Sequence, residues 1–524
     1  MDRGLLAAGL AAGLEEREIL ATLRSAHKTV TGKARTAPGV NGHGVNGSGP
    51  AAGGDNGAKG SGPDAVDALS YRAEDGGILD AWDELYGAGW LYATKLEVWY
   101  RWVGTHWAQD EGRGLERQLE SLLDRMNSPV RHLLAATDKK DKERQQMLQA
   151  YAAATRRTKG RVASVEYMAK ARRAVAARRL DQGDTLNLLN GTLDLRTLEL
   201  RAHCPDDLLT YCLPYEYEPD ADCPRWRRFV SEVLVEPNGW QDPELVEVLQ
   251  ELFGYSLTTE TSLETMAWLM GMGANGKSIT VGVLQKLLGP LATVVDFHTL
   301  GELGNYDLAK LMGKRVAFST ESTRGGYVAE GYVKRIVSGE TIATRPIYGF
   351  PIEFSSTAKV WWAMNDRPII RDSSDALWRR MKLIPFNRTF GREEQDHHLA
   401  ATLEHELPGI LNWSLVGLRR LRERGRFTDS RQADEAVKEF RQESNPVLQW
   451  RESRTVTTAT TETAAADLYA DYSEWAKDNG REKLNSTNFG RELTRLPGVK
   501  KDKDRIVHYN LRLPAAGGID VRAR

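Results

Sequence analysis

The chain has 524 residues, enough for roughly three or four domains at about 150 residues each. Hydrophobic residues at 41% and charged residues at 27% exclude a disordered or collagen-like chain. Lys plus Arg (71) nearly balance Asp plus Glu (72), so net charge excludes a uniformly basic nucleic-acid binder, and any basic surface has to be local. No apolar run approaches the roughly 20 residues of a membrane-spanning helix, so no membrane partner is expected. The three cysteines, Cys204, Cys212 and Cys223, are sparse, odd in number and at no zinc-binding spacing, which fits a cytoplasmic protein.

In chain order, residues 1–29 read as a short amphipathic helix. Asp2 cancels Arg3, so the apolar stretch from Leu5 to Leu14 lacks the positive leader of a signal peptide. Residues 30–64, rich in Gly, Ala, Asn and Ser, bury too little apolar surface to offset their ordering entropy and are expected to be a flexible linker. Between residues 78 and 110 lie Trp82, Trp90, Tyr92, Trp99, Tyr100, Trp102 and Trp107. Interleaved aromatics can stack on bases, but alternation around Val98 to Trp102 reads more simply as strands burying rings in a core. From Lys139 to Arg179 the chain is dense in Lys and Arg, opposed only by Asp141, Glu143 and Glu166. Such basic helices could follow a phosphate backbone or form a solvated charged face. Turn signals at Asn190-Gly191 and Pro219-Asp220 predict hairpins, and helical patterning runs from Trp226 to about Phe253.

The most informative segment follows. Met266 to Met270 is a short apolar run, Gly271-Met-Gly-Ala-Asn-Gly-Lys-Ser278 comes next, and Ile279 to Leu288 reads as a helix. Strand, G-x-x-x-x-G-K-S, helix is the context of a phosphate-binding P-loop. Its glycines free successive N–H groups to face phosphates, and the helix start adds a favourable dipole. Gly271, Gly273, Ala274, Asn275, Gly276, Lys277, Ser278 and Ile279 are therefore the candidate nucleotide-binding residues. Lys277 is expected to reach the β- and γ-phosphates of ATP, and Ser278 to ligate Mg²⁺. Such an ATPase also needs a carboxylate at a neighbouring strand end. Arg315 to Glu321 supplies one in Glu321, a second candidate Mg²⁺ ligand, and Lys359 to Asn365 ends in Asn365, whose amide could orient the attacking water.

With these motifs in order, the sequence resembles the superfamily 3 helicases, in particular the phage and plasmid primase-helicases related to the poxvirus primase-helicase. Further carriers of the likeness are Asn190-Gly-Thr-Leu-Asp-Leu195, Lys334 to Glu340, Asn365-Asp-Arg-Pro368 and Leu377 to Phe386, together with Asn275 inside the loop. The resemblance implies an α/β fold: an AAA+-like P-loop ATPase core (226–430), an α+β N-terminal domain (65–225) and a C-terminal winged-helix domain (445–524). It implies a six-membered ring moving 3′ to 5′ on DNA, with Arg379 or Arg380 reaching the neighbour's ATP. A hairpin near Gly349 would grip DNA, with Lys334, Arg345 and Tyr348 as candidate contacts. Expected partners are single-stranded and forked DNA, further copies of the chain, and a separate primase or polymerase. The expected setting is the bacterial host cytoplasm of a phage, plasmid or integrated element. The family's Glu-x-Glu is reduced here to Glu321, since Thr323 replaces the second carboxylate. The segment before Ile78 is mostly linker, so no primase catalytic domain is expected within this chain.

Overall fold

The computed structural model describes residues 71–302, 306–319, 327–346, 349–368, 370, 375–460, 463–481, 483–503 and 506–513. Segments 1–29 and 30–64, and the candidates Glu321 and Tyr348, lie outside the described residues. The chain divides into two compact units after Arg179.

The first unit contains α1 (Asp75–Leu85), β1 (Trp90–Thr94), β2 (Val98–Trp102), β3 (Trp107–Gln109), α2 (Gly114–Ala136), α3 (Lys142–Ala154), α4 (Lys159–Arg172) and β4 (Ala174–Ala176). Its sheet runs β3-β2-β1-β4, antiparallel except for the parallel β1–β4 pair. Alternation places Trp99 inward, where it meets Trp82 and Trp90 edge-on at 6.3 and 6.2 Å. Both of those indoles donate to Gln118, so these rings form a core and not a base-stacking surface. The basic helices meet carboxylates of the same unit. Arg157 pairs with Asp124 at 3.1 Å, Arg161 with Asp75 at 2.8 Å, Arg172 with Asp80 at 2.7 Å and Arg173 with Asp83 at 2.5 Å. Part of the local positive charge is therefore neutralised by α1 and α2.

The second unit opens with a three-stranded antiparallel sheet, β5 (Thr185–Leu188), β6 (Gly191–Asp194) and β7 (Leu200–Arg201). Leu186, Leu188 and Leu193 are buried in one cluster with Trp226 and Leu284. These hairpins complete the core that follows them, so the second compact unit includes residues 180–225. The helical stretch expected from 226 to 253 is two helices, α5 (Pro224–Val233) and α6 (Pro243–Ser256). Pro237-Asn238-Gly239 turns the chain with Gly239 at φ 88°, and Asp242 caps α6 by accepting from the Leu245 amide at 2.9 Å.

The centre is a five-stranded sheet of β8 (Met266–Met270), β9 (Ala292–Val294), β10 (Val316–Ser319), β13 (Lys359–Met364) and β14 (Met381–Pro385), ordered β14-β8-β13-β10-β9 and parallel throughout. β13 is buried along its whole length, as a sheet covered on both faces requires. Ala267, Leu269, Trp361 and Ala363 face one hydrophobic cluster, which includes α5, α6, α7 (Lys277–Leu288), α10 (Leu399–His405) and α11 (Leu407–Arg424). Met266, Trp268, Val360 and Trp362 face another, with α8 (Glu330–Val337), the β11 (Thr341–Thr344) and β12 (Ile352–Ser355) hairpin, the short turn α9 (Asp375–Trp378) and α12 (Arg431–Ser444).

Residues 446–513 have their own core, with Trp450, Leu468, Tyr472, Phe489, Leu493 and Tyr509 buried together. It holds α13 (Pro446–Arg454), β15 (Val456–Thr457), β16 (Thr463–Ala464), α14 (Ala465–Asp478), α15 (Ser486–Arg495), β17 (Lys501–Lys503), β18 (Val507–Tyr509) and β19 (Leu511–Arg512). β16, β18 and β17 form an antiparallel sheet in that order. Among the described residues, no helix is long and apolar enough to cross a membrane.

Candidate functional site

Because the central strands are parallel, their C-terminal ends share one edge, the usual place for a ligand in an open α/β sheet. There the chain leaves β8, makes a glycine-rich loop and enters α7. The loop closes on itself and on the segment after β14: the Phe386 amide donates to Met270 O at 2.7 Å and the Phe390 amide to Ala274 O at 2.8 Å. Two glycines are required by this path. A Cβ on Gly271 would collide with the Asn275 amide and the Phe386 carbonyl. Gly276, at φ 93°, would set a Cβ 2.7 Å from Val233.

No side chain caps α7, whose first residues line a cleft of about 880 Å³. Its dipole and unclaimed first-turn amides favour an anion there. Lys277 is buried, and its Nζ donates to Gly271 O at 2.6 Å and to Asn275 Oδ1 at 3.0 Å. Burial lowers its pKa to about 8. Asn275 is buried as well, and its Nδ2 has no hydrogen-bond partner. Gly273, Ala274, Gly276, Ser278 and Ile279 also face the cleft.

Asn365 and Asp366, just past the end of β13, reach the same cleft and are exposed. Glu321 would follow β10, whose last strand residue is Ser319, but it lies outside the described residues. The far wall, which the sequence reading missed, includes Arg225, Glu232, Phe390, Asp396 and His397. Arg225 pairs with Glu232 at 3.5 Å and with Asp396 at 3.8 Å, and the Arg388 guanidinium lies 4.5 Å from the Phe390 ring. Arg225 and Asp396 come together only through the packing of α5 against the segment before α10, so no local motif announces them.

The arginine pair lies elsewhere. Arg379 and Arg380 precede β14, and Arg380 O accepts from the Met266 amide at the start of β8. They occupy the sheet edge opposite the loop, roughly 16 Å away at about 3.3 Å per strand residue. Arg380 has a side-chain exposure of 10% and bonds Glu264 at 2.6 Å, Ser338 Oγ at 3.1 Å and the Ala376 carbonyl. Arg379 is 64% exposed and lies 3.7 Å from Glu264. Lys334 is on α8, and the Arg345 Nε donates to Gly349 O at 2.8 Å, bracing the hairpin tip. The structure thus gathers the loop and Asn365 at one cleft, and leaves Arg379, Arg380, Lys334 and Arg345 outside it.

Three family models match the chain in succession: "D5 N terminal like" over residues 80–235, a family of unknown function (DUF5906) over 269–380, and "Poxvirus D5 protein-like" over 442–511. The chain is 28% identical over 369 residues to a provisionally named helicase, L207/L206, of Acanthamoeba polyphaga mimivirus, covering 64% of this chain and 38% of that protein. It is 28% identical over 130 residues to a provisionally named helicase, 022R, of Frog virus 3, covering 23% of this chain and 13% of that protein. A provisionally named helicase, 121R, of Invertebrate iridescent virus 3 matches at 24% over 221 residues, covering 39% and 23% respectively. The chain thus spans well under half the length of these viral relatives. Among solved structures, an apo form of the NrS-1 C-terminal region matches at 12% identity and a TM-score of 0.32, covering 59% of this chain and 87% of that one. D5-type family models thus match the chain on both sides of its central sheet, and in those segments it is similar to D5-like proteins.

Proposed function

We propose that the protein is an ATP-dependent DNA helicase of superfamily 3, working as a six-membered ring during replication of a phage, plasmid or integrated element. The observation that carries this is the buried Lys277 at the uncapped start of α7, set beside the exposed end of β13 on a parallel sheet. In this reading residues 271–278 form the P-loop of an AAA+-like core. Lys277 leaves its loop carbonyl for the β- and γ-phosphates of ATP, and Asn365 orients the attacking water. Ser278 and Glu321 would hold Mg²⁺, which neutralises charge between the phosphates when bound. The exposed Ser278 hydroxyl at the cleft fits that role.

Of the arginine pair, Arg379 suits the role of reaching a neighbouring copy's phosphate, since it is exposed while Arg380 is held within its own chain. The hairpin β11–β12, with Lys334 and Arg345 near it, is the proposed grip on single-stranded DNA, and Tyr348 belongs to the same proposal. Residues 446–513 are read as a winged-helix domain that contacts duplex or forked DNA, and a separate primase or polymerase would act alongside. A Lys277→Ala variant should fold normally and lose ATP hydrolysis by about 10²-fold or more. Hydrolysis retained near wild-type rates would overturn the assignment. The basic face of α15 and β17 also suits an origin-binding ATPase that remodels DNA without unwinding, and such a protein would hydrolyse ATP yet release no strand.

A further inference from the structure

Arg380 sits at a junction that the nucleotide cleft does not explain. Its Nη2 reaches Glu264 Oε2 at 2.6 Å and Ser338 Oγ at 3.1 Å, while its Nε is buried without a hydrogen-bond partner. Glu264 precedes β8 and holds a left-handed backbone at φ 44°, a strained conformation for a residue with a side chain. Its carboxylate is shared between Arg380 and the exposed Arg379. Ser338 closes the C-terminal end of α8, and the hairpin begins three residues later at Thr341. That base is bonded back to α8: the Glu340 amide donates to Arg335 O at 3.0 Å and the Arg335 Nη2 to Thr341 O at 2.6 Å. Ile336, Val337, Ile342 and Leu377 share one buried cluster beneath these contacts.

We propose that Glu264, Arg380 and Ser338 form a polar strut that relays the position of Arg379 to the base of the β11–β12 hairpin. The relay rests on the reading of Arg379 as the residue that meets a neighbour's phosphate and of the hairpin as the DNA grip; the strut itself is read from the contacts above. When Arg379 exchanges Glu264 for a phosphate, the carboxylate is left wholly to Arg380. The Arg380–Glu264 pair tightens, and Arg380's hold on Ser338 and α8 changes with it. Glu264 and Ser338 are thus positioning residues that touch neither nucleotide nor DNA.

The test uses the full chain carrying Glu264→Gln or, as the milder change, Ser338→Ala. Hydrogen exchange followed by mass spectrometry, without nucleotide or DNA, should show amides of 341–344 exchanging about tenfold or more faster in both variants, the size of one lost charge-assisted hydrogen bond. In ATPase assays the KM for ATP without DNA should stay at the wild-type value, while the stimulation of kcat by single-stranded DNA falls towards none. Glu264→Asp should recover part of it. Unchanged exchange at 341–344 overturns the strut, and faster exchange with wild-type DNA stimulation overturns the relay. A wild-type protein without ATPase activity would contradict the motor reading and the relay with it, and the exchange measurement would still decide the strut.

Discussion

Lys277 holds its ammonium between the Gly271 carbonyl and the Asn275 amide oxygen, and burial brings its pKa to about 8. The loop therefore presents a charged lysine below about pH 8 and an increasingly neutral one above it. Phosphates bind the charged form, so binding above that pH must take up a proton. The affinity for a fluorescent ATP analogue should be flat from pH 6.5 to about 7.5. It should then fall, approaching about tenfold per unit above pH 8, until the lysine of the bound form titrates. Constant affinity to pH 9.5 would show that Lys277 does not meet the phosphates. This residue was legible in the sequence because everything that defines it, from Gly271 to Ser278, is local. Arg380 was not: its partners Glu264 and Ser338 are remote in sequence, and nothing in Leu377 to Phe386 separates an arginine held in its own chain from one left exposed.

At the scale of elements, β8, β10, β13 and α7 were readable from short apolar runs bounded by glycine and polar residues, while β9 and β14 were not. The break between α5 and α6 was signalled by Pro237, Gly239 and Pro243, but apolar spacing on both sides masked it. The charge of α4 and the turn before it was readable and its use was not, because carboxylates that answer it sit on α1 and α2. A better candidate for duplex contact is the C-terminal unit. There α15 buries Phe489 and Leu493 and exposes Thr487, Asn488 and Arg491, and the lysines of the edge strand β17 are exposed. α14, by contrast, carries Asp467, Asp471, Glu474 and Asp478. If β17 follows a phosphate backbone, the double variant Lys501→Ala/Lys503→Ala should weaken duplex binding alike on all sequences. The slope of log K against log salt should shrink by about 2. An unchanged slope would place duplex contact elsewhere.

For the whole molecule, an α/β organisation was legible, and the way neighbouring segments share one core was not. Strands β5 and β6 look like part of the preceding segment, yet Leu186, Leu188 and Leu193 belong to the core that also packs α7. The same sheet separates the two groups of candidate residues: the loop and Asn365 lie at one edge, Arg379 and the base of the hairpin at the other. In the proposed ring, a copy so arranged would offer its cleft from one edge and Arg379 from the opposite one to two different neighbours. The most direct measurement is strand displacement on a forked DNA duplex with ATP, comparing the wild-type protein with Lys277→Ala. The wild type is expected to release the strand only when ATP is hydrolysed, and the variant to bind the fork without releasing it. Wild-type hydrolysis with no strand released, or release by the variant at the wild-type rate, would contradict the helicase assignment.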